Sequence, residues 1–568
     1  MLSTPCILLF GSHDVRLHDN RAVECASLHA SIVPTFLWNK EEEGGWGVRG
    51  AMEVVLKRAL MSLDTRLKEN GMLLLCRETS HSTANELLVL CKETGATVVY
   101  SNMEHTPESR SRDEKRCKIL SDNGIKFVQC NSSLLYNPED VSLASGFNGG
   151  HFATLMPFLK TCKQQFGSPP KPPSRSKSAD MLAKMNGPNK WPAGIEVDQL
   201  PLAVVKGNER WDKPILDRFP MSEDVAGDVL NAFMEGGLAR YEHQRSRADL
   251  DGATSQLSAH LRVGTLSPYE LYWCTDASSL SSEEKKTFSR RLFWRDLAYF
   301  QLYYFPFMRD QPIRRHYENT AWVQGEEEDR RFQAWRKGQT GYPLVDAAMR
   351  KLWTTGWMTQ SVRMVAASFL VEYLRVNWVK GCEWFHYTLV DADSAINPMM
   401  WQNAGRSGID QWNFVLSPEN ASQDASGDYT KRFVPELSKL PKAKLHQPWR
   451  ASEEELRRAG VVLGVTYPHR IVVDLGAERR QSVVAVLEMR RNAQAWNDDK
   501  GYDIIELPSG QTTKVFTKKE YRIDRHGHVI KMEESAAESR RGGRGRASSR
   551  SGHSSSGNSK KGKRIRRK

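Results

Sequence analysis

The sequence predicts an N-terminal α/β domain, a doubly wound parallel sheet, followed by an all-α C-terminal domain. Three observations predict this. The first third alternates short, uninterrupted apolar runs with amphipathic helical stretches, the pattern of strands buried on both faces between crossover helices. From about residue 221 the apolar period changes to 3.6 and aromatics become frequent. The 568 residues exceed one ordinary core, so two domains plus tails are expected.

The expected strands are residues 7–10, 33–38, 72–76, 97–101 and 126–129, with helices over 49–69 and 82–93. The first strand leads into GSHDVRLHDN, not GxGxxG, so the dinucleotide fingerprint is missing. Residues 167–192 are rich in Pro, Ser and Lys and read as a surface linker without an element. The expected organisation is an α/β domain over 1–135, an interdomain linker over 136–220 and a helical domain over 221–495. A charged, weakly patterned extension follows over 496–538, with a hairpin around RIDRHGHVI. Residues 539–568 are a basic tail, disordered by composition.

The net charge of +13 is mostly that tail, which holds twelve Lys/Arg and no Asp/Glu; the body is nearly neutral. Basicity therefore says little about the body's partners. The tail reads as a nuclear import signal or a non-specific nucleic-acid arm; otherwise a cytoplasmic location is expected. The nine cysteines are dispersed, with no CxxC and no zinc spacing, so reduced thiols and no metal are expected. No apolar run reaches about 18 residues, so no membrane-spanning helix is expected. Nor does the N-terminus read as a secretory or import leader.

Residues 341–414 set Arg363, Asp391, Asp393, Asn397, Trp378 and Trp401 in an apolar helical pattern. Charges in such surroundings need partners, and Arg363 and Asp391 are expected to pair. Asp393 is suited to accept from an imide N–H, and Asn397 to face a redox-active ring nitrogen. Each indole reads equally as core. Tyr241 and the run Thr254, Ser255, Gln256, Leu257, Ser258 precede a helical stretch. Such a run either cradles a phosphate or simply caps the helix. Arg295, within FWRDL, needs a carboxylate or a phosphate.

In sequence order, RLHDN, TSQLSAHLRVGTLSP, FWRDL, AWRKGQTGYPLVDAAMRKL, TTGWM, LVDAD, WQ and DYTKRFVPELSKLP follow one another. Over about residues 5–490 the chain resembles the photolyase/cryptochrome flavoproteins through these motifs. The resemblance implies an antenna domain joined to an FAD-binding helical domain that holds bent FAD. It sets Tyr241, Thr254, Ser255, Leu257 and Ser258 at the phosphates, with Arg295 nearby. It sets the Arg363–Asp391 pair beside the flavin, Asp393 at the imide and Asn397 at N5. Trp401, Trp378 and Trp322 match the indoles that pass an electron inward, although about three extra residues separate Trp322 from Trp335. The resemblance allows a second antenna chromophore, since family members use a folate, a deazaflavin, FAD or nothing there; Glu104, Arg112 and Asp113 lie in the relevant stretch and do not choose among these.

The departures lie in the substrate-binding shell. Arg291 replaces the Glu of dimer photolyases, Gln360 and Ser361 replace an Asn-Arg pair, and Asn403 replaces a Trp. Trp294 and Met364 survive, and Asn397 is the photolyase choice. The resemblance thus implies a blue-light FAD protein: a cryptochrome-like photoreceptor with DNA and signalling proteins as expected partners. The alternative is a DNA photolyase repairing pyrimidine dimers by electron transfer from reduced FAD.

Overall fold

The computed structural model describes residues 2, 4–143, 151–203, 210–250, 252–409 and 415–530. The 539–568 tail and the last residues of the 341–414 block lie outside them.

Five parallel strands form one sheet: β1 (Cys6–Phe10), β2 (Ile32–Trp38), β3 (Leu75–Glu78), β4 (Val98–Asn102) and β5 (Lys126–Cys130), in the order β3-β2-β1-β4-β5. Strand β1 is buried throughout and its alternate side chains enter two different cores. Ile7 and Leu9 meet Leu87, Leu90 and Leu120 on one face. Cys6, Leu8 and Phe10 face the other way, into a core that runs on through Leu344 and Phe369 to Trp401. The third strand starts later than expected. The Asp64 carboxylate accepts from Leu74 N at 2.9 Å, holding that residue against the preceding helix. Pairing with β2 begins only at Thr35–Leu75.

The 167–192 stretch is not free of structure, a correction to the reading above. It contains the helix Arg175–Leu182, capped by Ser174, whose hydroxyl accepts from Lys177 N. Ser178 Oγ lies 2.9 Å from His18 Nδ1, and Leu182 enters the main core, so the helix is stitched to the sheet domain. Within 136–220, Phe158 of the helix Leu155–Phe166 packs on Phe300, again as part of a core.

The helical half positions the chemistry on five elements. They are the helices Ser258–Val263, Ser282–Tyr304, Gln360–Ser368, Trp378–Thr388 and Ile396–Ala404. Beyond them, the extension pairs β6 (Asp503–Glu506) antiparallel with β7 (Thr512–Val515). Ile505, Leu507 and Val515 of this hairpin pack against Met399 and Ile409. The turn near the end of the extension is closed by an Ile523–Val529 bridge.

Asp503 anchors the extension among charges. Its carboxylate accepts from Arg314, from Tyr317 OH at 3.0 Å, and meets Arg490 Nε and His316 Nε2 at 2.9 Å each. Burial alone would raise its pKa; the surrounding cations outweigh that and hold it far below the usual carboxylate range.

Candidate functional site

The hydroxyl run lies where a loop enters the helix Ser258–Val263. Leu257 is the buried anchor and shares an apolar cluster with Tyr241, whose ring meets Phe288 edge-on at 5.2 Å. Thr254, Ser255 and Ser258 are half-buried. Ser258 Oγ accepts from Trp357 Nε1 at 3.3 Å. Gln256 has φ +56°, a left-handed conformation costly for a side-chain-bearing residue. Its Oε1 accepts from Arg218 Nη2 at 3.0 Å, and that guanidinium lies 5.2 Å from the Trp357 ring. Sequence reasoning missed Arg218 and Trp357: their role depends on a contact across many residues, and only the GWM motif around Trp357 marked the place.

Arg363 and Asp391 form an ion pair. Arg363 Nη2 reaches Asp391 Oδ2 at 2.8 Å and Oδ1 at 3.1 Å, while Nε donates to Met358 O. Arg295 takes the carboxylate of its two possible partners: Nε lies 3.5 Å from Asp393 Oδ2, and Nη1 donates to Ser133 O. No contact ties it to the hydroxyl run. Asp393 is heavily committed. Oδ1 accepts from Ala395 N and Ile396 N at 2.9 and 2.8 Å, capping the next helix, and Oδ2 accepts from Tyr299 OH at 3.3 Å. A further N–H would compete with the long Tyr299 and Arg295 contacts. Asn397 is buried in the first turn of that helix, its Nδ2 donating to Cys382 O at 3.1 Å.

The indoles run from interior to surface. Trp401 is 2 % exposed and Trp378 3 %, whereas Trp322 is half-buried. Trp401 also meets Phe385 and Trp335 edge-on at 5.0 and 6.2 Å.

On the substrate side, Arg291 is exposed and Trp294 half-buried one turn along the same helix. Gln360 is exposed and Met364 half-buried, likewise one turn apart. Asn403 is different: it is 4 % exposed and pressed against Gly408. Its Nδ2 is buried with no hydrogen-bond partner.

At the carboxyl edge of the sheet, the strand order reverses on either side of β1, the usual place for a ligand crevice in such folds. Here Arg112 bridges Glu43 and Glu104 at 2.9 and 3.1 Å, and Asp113 pairs with Arg116 at 2.9 Å. The crevice they line also includes Ser12, Trp38, Asn39 and Asn102.

Buried indoles on packed helices and a mostly buried ion pair in the same half suit a one-electron redox cofactor, and the fold joins that half to a parallel sheet. Family comparison agrees. Residues 7–175 match the DNA photolyase family and residues 288–488 the FAD binding domain of DNA photolyase. Deoxyribodipyrimidine photo-lyase of Agrobacterium fabrum is 32% identical over 86% of this chain and 99% of that protein. Cryptochrome-1 of Arabidopsis thaliana is 31% identical over 82% of this chain and 68% of its own. The crystal structure of a class III photolyase from Agrobacterium tumefaciens superimposes with a TM-score of 0.78 at 31% identity, covering 86% of this chain and 99% of that one. The chain belongs to the photolyase/cryptochrome family and carries its FAD-binding domain.

The residues present fit FAD. Beside the Arg363–Asp391 pair, Ser361 Oγ and Thr359 Oγ1 are buried with no hydrogen-bond partner, as groups aimed at a ligand are. The half-buried hydroxyls of Thr254, Ser255 and Ser258 suit the phosphates.

Proposed function

We propose that the protein is a cryptochrome-like blue-light photoreceptor that uses its indole chain for photoreduction and binds DNA. When bound, FAD supplies light absorption and one-electron chemistry. Trp401, Trp378 and Trp322 carry an electron inward from the surface. Tyr241, Thr254, Ser255, Leu257 and Ser258 hold the phosphates, and the Arg363–Asp391 pair fixes the ring's surroundings. Asn397 presents a neutral amide, which does not release a proton as a carboxylic acid would. A second antenna chromophore, of folate or deazaflavin type, belongs to this reading, with Glu104, Arg112 and Asp113 at the sheet edge as the residues beside it.

The observation that carries the photoreceptor reading is an amide, Asn403, where the family's dimer-repair enzymes place an indole. With Arg291 and Gln360 at two further positions of the expected substrate shell, the grip on a flipped-out dimer is reduced. Illuminating purified protein with dimer-containing oligonucleotides tests this: no recovery of intact thymines is expected, and robust turnover would overturn the reading.

A second reading, light-driven repair of pyrimidine dimers, is favoured by the partial exposure of Trp294 and Met364 and by Asn397. The same experiment decides between the two. The 539–568 tail is proposed to direct nuclear import; its deletion should leave the protein in the cytoplasm, and unchanged nuclear localisation would count against that role.

A further inference from the structure

Two cysteines far apart in the chain meet at the outer edge of the sheet. Cys25 lies on the helix Arg21–Ala26, and Cys130 ends β5, the outer strand. Val128 of β5 packs into the same core as Ala22, Val23 and Ala26, so Cys130, two residues on, points toward that helix. Arg21 N donates to Ser132 Oγ at 3.4 Å, which pins the start of the helix to the chain just beyond Cys130. Cys25 follows Arg21 by one turn, on the same side of the helix. The two thiols come within hydrogen-bonding contact of each other.

Both cysteines are half-buried and open to a small solute. Cys6 nearby is fully enclosed, and its thiol donates to Ala26 O at 3.8 Å. Burial, with the Cys25 thiol adding to it, pushes the Cys130 thiol up to about 12, while Arg21 acts the other way. Cys130 therefore stays protonated at neutral pH, and the first attack on an oxidant falls to Cys25.

We propose that Cys25 and Cys130 form a reversible disulfide under hydrogen peroxide, a redox switch on the end of β5. The Cys25 thiolate attacks the peroxide: an O–O bond breaks and an S–O bond forms. Cys25 becomes a sulfenic acid, and the departing hydroxide takes up the proton the thiol released, giving water. The Cys130 sulfur then attacks the Cys25 sulfur. The S–O bond breaks, an S–S bond forms, and the Cys130 proton leaves with the hydroxide as a second water. Two thiols thus give two electrons to one peroxide. A dithiol reductant reverses the step by thiol–disulfide exchange. Transient bridges of this kind are compatible with a reducing compartment.

The switch acts on a segment that also serves the helical half. Ser132 O and Oγ accept from Arg16 Nη2 at 2.7 and 2.9 Å. Ser133 O accepts from Arg295 Nη1, and Arg295 Nε lies 3.5 Å from Asp393 Oδ2. A bridge at Cys130 ties the start of this run to the helix Arg21–Ala26 and restricts its local opening.

Peptide mapping of the full chain by mass spectrometry, after hydrogen peroxide and alkylation of the remaining thiols, tests this. The expected result is a crosslinked pair of peptides carrying Cys25 and Cys130, lost on treatment with dithiothreitol and absent from Cys25→Ser. Replacing the exposed Cys117 by Cys117→Ser should leave the crosslink in place. In the unmutated chain, amide exchange over residues 131–134 should slow about tenfold on oxidation and recover on reduction, a readout that requires no variant to fold. Cys25 and Cys130 found separately alkylated or oxidised to sulfinic acid, or either one bridged to Cys6 or to a second copy of the chain, would overturn the proposal. So would a Cys25–Cys130 bridge that leaves exchange over residues 131–134 unchanged, since the bond would then switch nothing.

Discussion

Trp378 and Trp401 each cover a glycine on the other's helix. The Trp401 ring lies over Gly381 in the helix Trp378–Thr388, and the Trp378 ring lies over Gly405 at the end of the helix Ile396–Ala404. A methyl group at either glycine would overlap the indole. This reciprocal packing fixes both rings without hydrogen bonds. Gly381→Ala is expected to destabilise the protein by about 1–3 kcal/mol, as overpacking does. Thermal unfolding should show the loss, and flavin photoreduction should slow in the same variant; an unchanged melting temperature would mean the rings move easily. Trp401→Phe is the complementary change: it should retain FAD and fold while largely losing photoreduction, read from flavin absorbance under blue light with an external reductant.

Arg363→Met removes one partner of a mostly buried pair and leaves the Asp391 carboxylate uncompensated. Breaking such a pair costs about 3 kcal/mol. Denaturant unfolding should register that, and FAD should be lost on gel filtration. Arg363→Lys keeps the charge but cannot reproduce both the Nη2 contacts to Asp391 and the Nε bond to Met358 O, so an intermediate result is expected.

Asn397→Asp exchanges an amide donor for a carboxyl group opposite Cys382 O. The bond from Nδ2 is lost, and the site gains a group able to donate a proton. The absorbance spectrum reached on steady illumination should change in the variant. An unchanged spectrum would show that this position does not control protonation of the flavin.

The docked extension should loosen in acid. Burial by itself would raise the Glu372 pKa, but Arg406 and Arg479 outweigh it and bring it down to about 2. Asp503 is depressed further by Arg314, His316 and Arg490. A depressed carboxylate stabilises the fold above its unfolded pKa of about 4.5 for Glu, and that stabilisation is lost as pH falls toward the folded value. Protection of the β6 and β7 amides, taken relative to unfolded-chain exchange at the same pH, should therefore stay high at pH 7 and fall below about pH 4.5. Equal protection at pH 7 and pH 3 would contradict this.

The sheet was legible because its strands are uninterrupted apolar runs: residues 7–10 and 33–38 fall within β1 and β2. The Arg175–Leu182 helix was not, because only Ser178 and Leu182 of its eight residues are buried and prolines precede it. Periodicity has nothing to detect there. The pairing of Arg363 with Asp391 could be anticipated from two charges in apolar sequence. The partner of Arg295 could not, because carboxylate and phosphate satisfy the same need and only the tertiary fold chooses. The extension was hardest to read: β6 and β7 are four residues each, and their anchor is Asp503 meeting Arg314, 189 residues away. The burial of Asn403 was not legible for a related reason, since it depends on the turn that brings back Gly408.

One apolar continuum joins Leu8 of the sheet to Trp401 of the helical half. The two halves therefore have no seam at which one could melt alone. Stability gained by ligand binding in the helical half is passed by linkage to the sheet, so the whole body should unfold in a single transition whose midpoint rises with FAD concentration.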